Sequence, residues 1–117
     1  MKNILCVIFL FCLISTQCFS QNQYNLLEGK KILVVYGGWP GHQPKFFAGK
    51  ISTWLKTQKA IVHISDSTSV YTNEKLMSEL DLIIQHITMS KITKNELKGL
   101  INAVSNGTGL AGCHGGL

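Results

Sequence analysis

The chain has 117 residues, of which 45% are hydrophobic and 15% charged, and its formal net charge is +5. That length suits one small domain or part of a larger one. The positive charge comes from lysines scattered along the chain, with no arginine, so a nucleic-acid partner is excluded as the expectation: such surfaces cluster their charge and favour the arginine fork.

The first twenty residues read as a secretion signal. Lys2 supplies the positive start, Ile4 to Ile14 is an unbroken apolar run, and Cys18-Phe19-Ser20 places small residues around a cut before Gln21. The run is shorter than the roughly 20 apolar residues of a spanning helix, and an uncleaved anchor is the alternative. Gln17 before Cys18 argues against a lipoprotein signal, which needs a small residue there. Export, with no membrane association after cleavage, is therefore expected. Cleavage removes Cys6, Cys12 and Cys18, which leaves Cys113 as the mature chain's one thiol and permits no internal disulfide.

Residues 21–30 read as a polar leader. Lys31 to Tyr36 (KILVVY) is a compact, β-branched run of the kind found in a buried parallel strand. Gly37 to Pro44 (GGWPGHQP) is a loop, and Pro44 is suited to open the next helix, where its missing N–H costs nothing. Over 45–59, Phe47, Ile51, Trp54 and Leu55 fall at helical spacing on one face. Ala60 to Ser65 is a second strand, 66–72 a turn-rich stretch, and Asn73 a cap for a short helix through Leu80. Asp81 to His86 is a third strand. Thr93 with Glu96 forms a capping box, followed by the apolar stripe Leu97, Leu100, Ile101 and Val104; Asn106-Gly107 ends that helix. Thr108 to Cys113 is a fourth strand. Strands alternating with helices at this spacing predict a parallel sheet with helices on its faces.

In such a sheet ligands bind beyond the carboxyl ends of the strands. Three ends carry glycine-rich or polar sequence: Gly37-Gly38-Trp39-Pro40-Gly41-His42, His86-Ile87-Thr88-Met89, and Cys113-His114-Gly115-Gly116. Aligned on Gly112 and Gly116, an elbow of the G-x-nucleophile-x-G type places His114 at its centre. Cys113 then becomes the last strand residue, which argues against a thiol nucleophile; a plain strand–loop junction is the simpler reading. Histidine can move a proton near neutrality or ligate a metal. His42 is its natural partner on another rim loop, His86 is a third candidate, and His63, inside the second strand, reads as structural. No histidine shows the spacing of a zinc motif, so no metal is assigned. Trp39 is suited to the apolar face of a sugar ring, or to packing as a lid. The double glycine at 37–38 lacks the dinucleotide pattern.

VVYGGWPGHQP, DLIIQHITMSKITKNE and GTGLAGCHGG, in that order, resemble the trehalose-utilisation protein A (ThuA-like) family. The resemblance covers about Lys31 to Leu117. It implies an α/β, flavodoxin-like parallel sheet with helices on both faces, similar to class I glutamine amidotransferases and incomplete here at the C-terminus. Those amidotransferases carry cysteine at the elbow. The ThuA-like family carries a His-Gly pair there, matched by His114-Gly115, so the amidotransferase reaction does not carry over. The family's first-loop pattern matches Gly37, Gly38 and His42.

The family is linked to use of trehalose and related disaccharides. Its domains run longer than this chain, so an N-terminal fragment is expected, with residues 21–117 alone insoluble or partly molten.

Three functions follow. The first is an exported protein of disaccharide or oxidised-sugar utilisation, with His114 and His42 as the proton-transfer or ligand pair and Gly37, Gly38, Trp39, Gly115 and Gly116 against a small-molecule carbohydrate. The second is a non-catalytic sugar-binding or interaction module. The third is a Cys113-dependent hydrolase or transferase. Substrate, cofactor and oligomeric state are not legible.

Overall fold

The computed structural model describes residues 26–113. The expected signal peptide, the first half of the expected leader, and His114, Gly115 and Gly116 lie outside the described residues. Four strands, β1 (Lys31–Gly38), β2 (Ile61–Ser65), β3 (Leu82–Thr88) and β4 (Gly109–Gly112), form one sheet in the order β2-β1-β3-β4. Every pairing is parallel. Three helices connect them: α1 (Pro44–Thr57), α2 (Glu74–Met77) and α3 (Lys94–Ser105), with 3-10 turns at Pro40–His42 and Thr68–Thr72. The architecture is α/β and flavodoxin-like.

The central strand explains the core. Ile32, Leu33, Val34 and Val35 are fully buried, because helices cover both faces of β1. Alternation sends Leu33 and Val35 to one face, where they meet Tyr71, Met77, Ile83, Leu100 and Ala103. Ile32 and Val34 go to the other, against Ala48 and Leu55 of α1. Each such side chain contributes about 1.5–3 kcal/mol on burial.

The start of the sheet is tied by Asp81. Its carboxylate accepts from the Lys30 ammonium and from the Lys31 backbone N–H, each at 2.8 Å. Its backbone N–H donates to the Lys31 carbonyl at 2.8 Å, and its carbonyl accepts from Gly109 at 2.9 Å. One residue therefore aligns the beginnings of three strands. The second half of the leader belongs to this end: Leu27 packs against the α1-side core, and Gly29 donates to the Lys59 carbonyl.

The helices start where their local signals place them. Pro44 occupies the first turn of α1. Asn73 Oδ1 accepts from the Leu76 N–H, and Thr93 and Glu96 close their reciprocal box. The short helix ends at Met77, however, not Leu80. Two apolar stripes also need correction. In α1 Leu55 is buried against the sheet together with Ala48 and Ser52, and Ile51 and Phe47 are half-buried beside them, whereas Trp54 is 52% exposed. Small residues allow the helix to lie close to the sheet, and the bulky indole faces out. In α3 the buried positions are Leu100 and Ala103; Leu97, Ile101 and Val104 are exposed on the outer flank.

Candidate functional site

The chain leaves β1 towards β2 on one side and returns past it to β3 on the other. The carboxyl ends of β1 and β3 therefore flank the topological switch point, where open parallel sheets bind ligands. His42, His86 and Thr88 all come from these two ends.

Period-two alternation builds the site. Ile84, His86 and Thr88 share the α1 face of β3, while Gln85 faces the other way. The register pairs Gln85 with Gly112, so the next residue of each chain segment, His86 and Cys113, become neighbours. The His86 Nδ1 lies 2.8 Å from the Cys113 Sγ, and its Nε2 lies 3.2 Å from the His42 carbonyl oxygen. A carbonyl only accepts. Nε2 therefore carries the proton in the neutral ring, Nδ1 is the acceptor, and the Cys113 thiol donates to it. The ring is buried and stacks on Phe47 of α1, with centroids 4.5 Å apart and planes 30° from parallel. Cys113 itself is half-buried.

His42 closes the 3-10 turn after β1. Its Nδ1 lies 3.0 Å from the Thr88 hydroxyl, and the Trp39 ring meets its imidazole edge-on at 4.7 Å. Trp39 is 51% exposed, so one side of the indole faces solvent above the switch point. The His42 and His86 rings are 6.5 Å apart. Two non-glycine residues in the left-handed region, Gln43 at φ 50° and Met89 at φ 54°, border this group; that conformation costs an L-residue roughly 1–2 kcal/mol.

Gly37 and Gly38 are the last residues of β1. A side chain at Gly38 would stand 1.7 Å from the Thr88 carbonyl oxygen, and φ there is +82°. Its demand for glycine comes from the close approach of β3. His63 lies within β2, opposite Leu33 and away from the rim, with its side chain exposed. Among the described residues no three His, Cys, Asp or Glu side chains gather as a metal site. A separate cleft of about 900 Å³ lies between α2 and α3, lined by Tyr71, Lys98 and Asn102 among others; it is remote from the rim histidines.

The structure thus brings together Trp39, His42, His86 and Cys113. Phe47 and Thr88 join them without a sequence signal strong enough to mark them. Phe47 reads as a core residue of its helix, and Thr88 lies two residues beyond the expected end of the third strand. The sequence does place Thr88 with His86 on one of the three rim segments, and their i, i+2 spacing puts both on one face of an extended strand. No family model, curated protein or solved structure matches the chain.

Proposed function

We propose that this is an exported, ThuA-like protein of disaccharide or oxidised-sugar utilisation, whose rim pocket takes a small carbohydrate. The carrying observation is the half-exposed Trp39 held edge-on against His42 at the switch point. A flat indole offers an apolar face to a sugar ring, and an imidazole beside it offers a hydrogen bond or a proton. The motifs around VVYGGWPGHQP and GTGLAGCHGG support the family reading, and the flavodoxin-like order agrees with what that resemblance implies. The apolar run from Ile4 to Ile14 supports export; among the described residues no helix is long and apolar enough to cross a membrane.

Calorimetric titration of the full chain with trehalose and with an oxidised disaccharide tests this reading. Saturable heat lost in Trp39→Ala and weakened in His42→Ala is the expected result. Binding without any sugar turnover would mean a non-catalytic module on the same fold. No binding of either sugar would overturn the carbohydrate reading. Mass spectrometry of the exported chain should show an N-terminus at Gln21.

A further inference from the structure

We infer that Cys113 and His86 form a thiol nucleophile and its base, directed at a small carbonyl electrophile. Three observations carry this inference, independently of the sugar reading. The thiol lies 2.8 Å from Nδ1, within proton-transfer reach. The tautomer that makes Nδ1 basic is fixed by the His42 carbonyl on Nε2. The ring is held in orientation by Phe47 stacked on it. A nucleophile, a base and a third group orienting the base is the general arrangement of an activated nucleophile. The pair sits at the carboxyl ends of β3 and β4, beside the switch point, with the sulfur only half-buried, so a ligand entering the rim meets it.

The chemistry balances without a further reactant. The thiol proton moves to Nδ1 and leaves an imidazolium. The sulfur lone pair forms an S–C bond to the carbonyl carbon, and the C=O π pair moves onto oxygen. The imidazolium proton then passes to that oxygen, giving a hemithioacetal and restoring neutral His86. Nothing is oxidised or reduced and no group leaves. Addition is thus a step these two side chains complete by themselves. His42 takes part through its backbone carbonyl, as a positioning group.

The test uses the full chain and follows alkylation of the Cys113-containing peptide by iodoacetamide at pH 7, with mass spectrometry separating it from Cys6, Cys12 and Cys18. A free thiol is only a few per cent thiolate at that pH. The folded chain should therefore label at least about tenfold faster than the same chain in urea. His86→Gln should bring the folded rate down to the unfolded one, with the circular dichroism spectrum retained. Glyceraldehyde should protect Cys113 reversibly. If His86→Gln does not fold, the wild-type comparison decides alone: a folded rate no higher than the unfolded rate overturns the pair. Fast alkylation without glyceraldehyde protection overturns the carbonyl as its target. Because iodoacetamide is not a sugar, failure of sugar binding leaves this result standing, and the reverse also holds.

Discussion

The Tyr71 hydroxyl donates a hydrogen bond to the side-chain oxygen of Gln85, pinning the Thr68–Thr72 turn to the face of β3 opposite the histidines. Tyr71 is fully buried. Burial first, and the nearby Glu96 carboxylate second, hold its phenol well above the ordinary value of about 10. The folded state therefore binds this proton more tightly than the unfolded chain does. Its contribution is complete below about pH 10 and is lost as pH rises further. Melting curves from pH 7 to 11 should show wild type losing stability above pH 10 more steeply than Tyr71→Phe. The variant should also be about 1 kcal/mol less stable at pH 7, from the lost hydrogen bond. Parallel alkaline slopes would remove Tyr71 as the source.

The acid side has the opposite sign. Asp81 is held below the ordinary carboxylate range by its hydrogen bond from Lys30 and next by the Lys31 N–H. Glu79 is lowered by its hydrogen bond from Lys31, and Glu96 by the Thr93 N–H. The unfolded chain binds these protons more readily. Stability is therefore present above about pH 4 and falls as pH drops through the lowered values. Urea midpoints between pH 6 and 2.5 should decline less steeply in Asp81→Asn than in wild type. The ion pairs are exposed, so added salt should shrink the difference. An unchanged slope would mean that Asp81 acts only through its backbone bonds.

Much of the fold is legible in the sequence because its signals are local. The KILVVY run, the Thr93–Glu96 box and the Pro44 start each depend on residues within one turn or one strand. Trp54 defeats a sequence reading because hydrophobic size alone does not say which face a helix turns to a sheet; Ala48 and Ser52 set that by being small. The site is legible as three strand ends, and His42 and Trp39 meet there. The His86–Cys113 contact is not, since it depends on β3 and β4 pairing with Gln85 opposite Gly112. A one-residue slip in that register would turn Cys113 to the other face.

Two glycines inside helices should respond to alanine with opposite signs. In an exposed helix interior alanine is favoured over glycine by about 1 kcal/mol. A Cβ added at Gly49 of α1 would meet nothing within 4 Å, so Gly49→Ala should raise the melting temperature by a few degrees. Gly99 of α3 lies against the turn that carries Tyr71, and a Cβ there would stand 1.9 Å from the Tyr71 carbonyl oxygen. Backbone blocks the space, so Gly99→Ala should destabilise by more than the helix preference returns. Thermal melts of both variants check the pair, and stabilisation by Gly99→Ala would show that α3 can move away from the Thr68–Thr72 turn.

Gly38→Ala should link the fold to the site. Its Cβ would overlap the Thr88 carbonyl oxygen at 1.7 Å, and φ of +82° adds strain for any L-residue. That same carbonyl accepts from the Trp39 N–H at 3.2 Å, and the Thr88 hydroxyl lies 3.0 Å from His42. β1 and β3 must part to admit the methyl group, which pulls Thr88 away from both rim residues. A loss of about 2 kcal/mol or more is expected, read as a fall of about 10 °C in melting temperature. Below that melting point, Trp39 should become more accessible to acrylamide quenching, with Trp54→Phe as the background so that the signal belongs to Trp39. Quenching that stays at the background level while stability falls would show that the 3-10 turn holds Trp39 and His42 in place without the β1–β3 contact.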